Sequence, residues 1–314
     1  MVKFYRIRGL SVRALDHKIE GIMSLITHLE RFRNTSVPDY VQLAVGEHCF
    51  GLTKPELAQE LVSYSHVFKQ QGDRLIMHPG LDDVEKRTIA IDDILHDLSD
   101  RGVIPQEPDY SEFGGTDWFA VHASTTSERL FRIRRFYSLY LGIHFESVIL
   151  NGFDDTGYWI AERSDQVHFH KSMLDCITAG CICLGETPDN AVFEEGAVEC
   201  GLRPGDLPLI QFIKKIHLHE LSSKGYLRNE TFHVYYFKIT NDFKPRPLFK
   251  KETAEFRHVG FKDLYDLVQN TTKVRPVIRI VIIDFLKRHG FIDKNDIQSK
   301  EFETLLAETH DFYT

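Results

Sequence analysis

Early in the chain apolar positions recur at helical spacing. Ile19, Ile22, Met23, Ile26, Leu29 and Phe32 predict an amphipathic helix over 18–33, ended by Asn34 and Pro38. Alternation then takes over. Residues 40–45 and 48–52 flank Gly46-Glu47 and predict a β-hairpin, after which Thr53-Lys54-Pro55-Glu56 reads as a capping box opening a short helix that holds Leu57 and Leu61. Gly72-Asp73 turns the chain into a strand over 74–77. Asp92 is expected to cap a helix whose Ile94, Leu95 and Leu98 face inward, before Gly102 and Pro105 stop it. These elements make a first α+β unit.

Two prolines, two glycines and several acidic residues fall in 105–115 with little apolar periodicity, which marks a linker. Beyond it the pattern predicts a strand over 118–122, a helix over 133–141 stopped by Gly142, and strands over 145–150 and 157–162. Residues 191–200 read as a helix with a partly apolar face of Ala191, Val192, Ala197 and Val198. Strands over 210–217 and 231–239 and helices over 261–269 and 277–289 complete a mixed α/β unit. The expected fold class is α+β. The chain's 314 residues are then divided into domains at 1–112 and 113–314.

Composition narrows the partners. Hydrophobic residues make up 42% and charged residues 27%, as in an ordinary soluble globular protein. With 38 basic and 46 acidic residues the net charge is −8, which argues against nucleic acid as the main partner and against anionic lipid. Lys3, Arg6 and Arg8 interrupt the first apolar residues, so no secretory signal is read and the cytoplasm is the expected location. The most apolar stretch, 277–286, is about half the ~20 residues a bilayer needs and holds Arg279 and Asp284, so it is expected in a core and not as a membrane span. Cys176, Cys181, Cys183 and Cys200 lack a Cys-x2-Cys knuckle, and with Cys49 the count is odd, so reduced, buried thiols are expected in preference to zinc or disulfides. His168 with His170 and His217 with His219 alternate as strand residues and are assigned no role.

The informative stretch runs from Gly180 to Leu202. A glycine-bearing loop leads to Glu186-Thr187-Pro188-Asp189 and then to a helix in which Glu195 and Glu199 stand at i and i+4, on one face about a turn apart. Two such charges ~6 Å apart repel by roughly 3 kcal/mol at an effective dielectric of ~20, and a cation relieves this. Two carboxylates completed by water and phosphate oxygens suffice for Mg²⁺.

Gly180, Glu186, Glu195, Glu199, Gly201 and Leu202 stand in the register of the Nudix hydrolase box, Gly-x5-Glu-x7-Arg-Glu-U-x-Glu-Glu-x-Gly-U, with U a bulky aliphatic residue. The chain therefore resembles the Nudix superfamily. Further likeness at His66-Val-Phe, Arg87-Thr, Asn151-Gly, Trp159-Ile-Ala, Leu174-Asp175 and Asp284-Phe-Leu extends to a two-domain subgroup related to the Nudix part of a fungal thiamine pyrophosphokinase. The resemblance implies an N-terminal α+β domain followed by an α/β/α sandwich with a mixed sheet and C-terminal helices. It also implies Mg²⁺- or Mn²⁺-dependent hydrolysis of a small organic diphosphate, such as thiamine diphosphate or a nucleoside diphosphate linked to another group.

By the same resemblance Glu195, Glu199 and the Ala179 carbonyl bind metal, and Gly180 and Glu186 brace the loop. Glu252, in a loop over 250–256, or Glu199 would take the proton from water, and Arg163 and Lys171, which precede the box, are expected to hold the distal phosphate. The box departs from the pattern at Glu194, Gly196 and Val198, in place of its arginine, aliphatic residue and second glutamate. These departures leave a second reading open, a Nudix-fold protein that has lost hydrolysis and binds a ligand or a protein partner.

Overall fold

In a computed structural model, which describes residues 37, 39–109, 117–123, 128–167, 170–222, 224–240 and 242–292, the first hairpin forms as β1 (Val41–Val45) and β2 (His48–Thr53). The helix expected over 18–33 lies outside the described residues. After α1 (Pro55–Val62), β3 (Phe68–Gln71) and β4 (Arg74–Met77) complete a sheet in the order β2-β1-β4-β3, with β4 parallel to β1. The capping box before α1 is corrected. Lys54 is its N-cap without a side-chain bond, and the Thr53 hydroxyl instead donates to the Tyr140 carbonyl at 2.9 Å.

The next helix, α2 (Val84–Asp100), starts well before Asp92. Asp83 is its cap, accepting from the Lys86 N–H at 2.7 Å. Its first turns escape a hydrophobic reading because a buried arginine faces inward there. Arg87 donates to the Leu130 and Leu81 carbonyls, which satisfies its guanidinium away from water.

The helix expected over 133–141 is also corrected. Residues 129–134 form the strand β6 (Arg129–Arg134), paired antiparallel with β5 (Trp118–His122), and only one turn, α3 (Arg135–Ser138), follows. Phe131 and Ile133 are buried while Arg132 and Arg134 between and beyond them are not, which is the period of a strand. The hairpin's Phe119, Val121, Leu130, Phe131 and Ile133 join Leu43, Phe50, Leu75, Ile91 and Leu95 in one apolar cluster, so the packing of the N-terminal unit continues past the 105–115 stretch.

The second sheet is built on β7 (His144–Phe153). Its main order is β11-β12-β7-β8-β13, formed by β8 (Gly157–Arg163), β11 (Ile210–Leu221), β12 (Leu227–Lys238) and β13 (Thr253–Gly260). The short strands β9 (Leu174–Asp175) and β10 (Thr178–Cys181) pair with β8 and β7. Only β12 and β7 run parallel in an otherwise antiparallel sheet. Sequence pattern did not indicate β13. It is an edge strand with most side chains in water, so residues expected as loop over 250–256 carry no apolar alternation.

Alternate side chains of β12 supply two cores. Phe232, Val234 and Tyr236 face α5 (Phe261–Asn270) and α6 (Pro276–Arg288), while Tyr235 and Phe237 face α4 (Pro188–Glu199). The result is a helix–sheet–helix sandwich with a mixed sheet beside an N-terminal α+β unit. Of the two charges noted in α6, Arg279 donates to the Thr271 carbonyl and Asp284 is paired. Asp284, 1% exposed, receives Lys214 and Arg288, which explains a charged residue in the chain's most apolar stretch. Among the described residues no helix is long and apolar enough to cross a membrane, and all five cysteines are free.

Candidate metal and hydrolytic site

Strand β10 leads into the glycine loop, and α4 follows it. Thr178 lies opposite Leu150 and Gly180 opposite Val148, so the period of two turns both residues toward α4. The Ile182 N–H bonds the Glu146 carbonyl, and by antiparallel alternation Ala179 takes a position whose backbone groups turn away from β7. The loop is closed internally by Glu186, whose carboxylate accepts from the Cys183 N–H at 2.7 Å. Thr187 caps α4 by accepting from the Asn190 N–H, and Asp189 in the first turn accepts from the Tyr235 hydroxyl at 2.7 Å.

Gly180 is required by proximity. A Cβ built there would stand 2.1 Å from a Glu195 carboxylate oxygen. Gly180→Ala is therefore expected to push the Glu195 carboxyl aside and weaken Mn²⁺ binding at least tenfold, with little loss of melting temperature; calorimetric titration beside thermal unfolding checks this. Gly196 has a comparable reason. A Cβ there would lie 2.2 Å from Leu202 Cδ1, so this departure from the box makes room for a buried leucine. The other two departures are at the surface, with Glu194 exposed and Val198 59% exposed.

Glu199 is 6% exposed. The Thr178 hydroxyl donates to it, and the Glu252 carboxyl hydrogen-bonds it from the segment after β12. That segment is tied over the end of α4, where the Arg246 and Leu248 N–H groups bond the Cys200 and Glu199 carbonyls, and the Ser164 N–H bonds the Glu252 carbonyl. Burial, then the Glu252 carboxyl, then Glu195 push the Glu199 carboxyl well above the usual range. Burial and the Glu252 charge likewise push Glu195 up to about 7, with Arg135 opposing.

These shifts set a pH dependence for the metal-free protein. An acid whose folded pKa is raised contributes stability that is complete below its unfolded value, near 4.5, and is lost as pH rises through about 7. At about 1.4 kcal/mol per pH unit, the rise at Glu195 corresponds to roughly 3 kcal/mol. Denaturation in the presence of a chelator should show wild type losing stability between pH 5 and pH 8 relative to Glu195→Gln.

The donors suit a hard divalent cation, since all are oxygens. Among the described residues no group of three or more His, Cys, Asp or Glu side chains stands ready to hold a metal. As they stand, Glu199 is satisfied by the Thr178 hydroxyl and the Glu252 carboxyl, and burial favours the neutral forms of Glu195 and Glu199. Mg²⁺ needs only one or two carboxylates with water, so the fit rests on Glu195 and Glu199 losing their protons.

The remaining expected residues lie elsewhere in the arrangement. Arg163 pairs with buried Asp175 at 3.2 Å, and its backbone lies beside Thr253. Lys171 is exposed, between His170 and Ser172, which both have positive φ. Thr178, Arg135 and Asp117 escaped sequence reasoning. Thr178 had a signal, because two residues before Gly180 on a strand shares its face. Arg135 and Asp117 had none, because an N-terminal hairpin brings them in.

Residues 22–145 match a family described as a domain of unknown function, DUF4743, a span that crosses 105–115. Nudix hydrolase 20, chloroplastic, of Arabidopsis thaliana is 23% identical over 267 residues, covering 81% of this chain and 69% of that protein. Nudix hydrolase 24, chloroplastic, of the same plant is 22% identical over 260 residues, with the same coverage. Among solved structures, the MutT protein of Methanosarcina mazei Go1 aligns with 47% of this chain and 94% of its own at 16% identity, with a TM-score of 0.34.

Proposed function

The chain belongs to the Nudix hydrolase superfamily, and on that footing we propose that it is a Mg²⁺- or Mn²⁺-dependent hydrolase of a diphosphate linkage in a small organic diphosphate. The convergence of Glu195, Glu199 and Glu252 carries this reading, because three acidic groups kept together against their own repulsion call for a cation. Glu195 and Glu199, with the Ala179 carbonyl, would hold the metal. When bound, it supplies charge stabilisation at a phosphoryl oxygen and a more acidic water.

The protein's own groups would do the rest. The Thr178 hydroxyl fixes the rotamer of Glu199, Gly180 leaves room for Glu195, and Glu186 holds the loop's shape. Glu252, at the mouth of the set, would accept the proton of the attacking water. Thiamine diphosphate is the first substrate to try, followed by nucleoside diphosphates joined to a sugar. Exposed Val198, where the box carries a glutamate, favours the second reading, a site that binds but does not hydrolyse.

An assay of thiamine diphosphate, ADP-ribose and nucleoside diphosphate sugars, with and without Mg²⁺, tests the proposal against a Glu199→Gln control. Metal-dependent product in wild type alone is expected. Equal product in both proteins removes the enzyme reading, and activity that emerges only in Val198→Glu supports the binding reading.

A further inference from the structure

We propose that Arg135, delivered by the β5–β6 hairpin of the N-terminal unit, grips a phosphate group of the bound diphosphate, so that the site is completed across both units. This rests on reading the carboxylate site as one for diphosphates.

The hairpin is fastened to the glycine loop. The Leu184 N–H donates to the Trp118 carbonyl at 2.8 Å, and Phe119 stacks on Phe145 of β7 with ring centres 5.1 Å apart. Arg135 follows directly after β6. Its N–H donates to the Asp117 carbonyl at 2.8 Å, and its Nη1 donates to the Asp117 carboxylate at 2.9 Å. Its charge reaches the loop. Cys181 and Cys183 of the loop pack against the cluster that holds the hairpin's Phe119, Val121 and Ile133, and Cys181 adjoins the Gly180 on which Glu195 closes. The Arg135 guanidinium also lies within electrostatic reach of Glu195.

A diphosphate brought to three carboxylates needs positive charge beyond one divalent ion. Three other arginines are already paired with carboxylates, Arg132 with Glu85, Arg134 with Asp92 and Glu107, and Arg163 with Asp175. The Arg163 side chain is 22% exposed, whereas that of Arg135 is 51% exposed. Asp117 engages Nη1 of a planar group that has five donors, and such a fork matches two phosphate oxygens. Asp117 thus balances the Arg135 charge until an anion competes for it.

The test uses the full chain, Mn²⁺, and methylene diphosphonate, which binds like a diphosphate but is not hydrolysed. Losing a charged hydrogen-bonding partner typically corresponds to about 10- to 100-fold in affinity. Arg135→Ala should therefore raise KM for a hydrolysed diphosphate at least tenfold with a smaller change in kcat, and weaken diphosphonate binding to match. Without diphosphate the same variant should bind Mn²⁺ a few-fold more tightly, because a cation has left the vicinity of Glu195. A purely structural role would not tighten metal binding. Arg135→Lys should fall between the two. Unchanged KM and unchanged diphosphonate affinity in Arg135→Ala overturn the inference.

If wild type hydrolyses nothing, the reading of the site as hydrolytic falls, while the diphosphonate titration still decides the role of Arg135. Wild-type binding that Arg135→Ala loses supports it, and no binding by wild type overturns it as well. Should Arg135→Ala not fold, Asp117→Asn decides. Releasing the guanidinium should strengthen diphosphonate binding a few-fold, and unchanged or weaker binding overturns the inference.

Discussion

Glu199→Gln should lower Mg²⁺-dependent diphosphate hydrolysis by about 10³-fold, the order seen when one charge-stabilising group leaves a catalytic centre. The substitution preserves size and a hydrogen-bonding oxygen, so the Thr178 hydroxyl keeps its partner. It removes only the ability to carry negative charge. Folding should not suffer, and above the ordinary carboxylate range of pH the metal-free variant should be more stable than wild type, since it no longer holds a buried acid whose ionisation is opposed by burial, Glu252 and Glu195. An unstable, inactive variant would point to a structural role for Glu199. A stable, fully active one would remove Glu199 from the chemistry. Steady-state rates and chemical denaturation on the same preparation separate these outcomes.

The largest expected loss of stability lies at Asp175, outside the carboxylate set. Asp175 is buried between two guanidinium groups, with Arg275 Nη1 at 3.1 Å and Arg163 Nη1 at 3.2 Å. Burial works to raise its pKa, but Arg275 and Arg163 hold the carboxyl below the usual range. Asp175→Ala leaves buried Arg275 without its paired charge, and breaking a buried pair from one side costs about 3 to 5 kcal/mol. Urea unfolding should register that loss. Arg163→Ala should cost less, because the Arg163 side chain is 22% exposed against 9% for Arg275 and water can take over part of its role. Equal costs for the two would contradict this assignment. The pair also matters for the site, since Asp175 lies three residues before Thr178 on the stretch that sets β10 against α4.

What was legible in the sequence was local. Glu195 and Glu199 share a helix face by spacing alone, and Gly180 precedes Glu195 at the interval of the box. The strands of the large sheet announce themselves where they are buried, as in β12, whose Phe232, Val234 and Tyr236 lie in one core and Tyr235 and Phe237 in another. Two kinds of information were not local. Where a polar side chain is buried and bonded, as at Arg87, the hydrophobic pattern breaks although the helix continues, so the pattern places the start of α2 too late. Where an edge strand faces water, as with β13, the pattern vanishes although the ladder is complete. The site mixes both cases. Glu252 arrives through the segment that crosses the end of α4, and Arg135 and Asp117 arrive through a hairpin that packs with the N-terminal unit. Their sequence separation from Glu195 leaves no periodic trace. Only the paired sheets and the bonds at Leu184 and Leu248 bring them in.

The account turns on whether Glu195 and Glu199 take up a divalent ion. Calorimetric titration of Mn²⁺ into the full chain at pH 7, repeated in buffers of different ionisation enthalpy, measures both the ion bound and the protons released. Binding accompanied by proton release is predicted, because Glu195 titrates near 7 and burial with the Glu252 carboxyl holds Glu199 well above the usual carboxylate range, so metal binding must ionise them. Binding should be abolished in the Glu195→Gln, Glu199→Gln double variant. No uptake at millimolar Mn²⁺, or equal uptake by the double variant, would contradict the account.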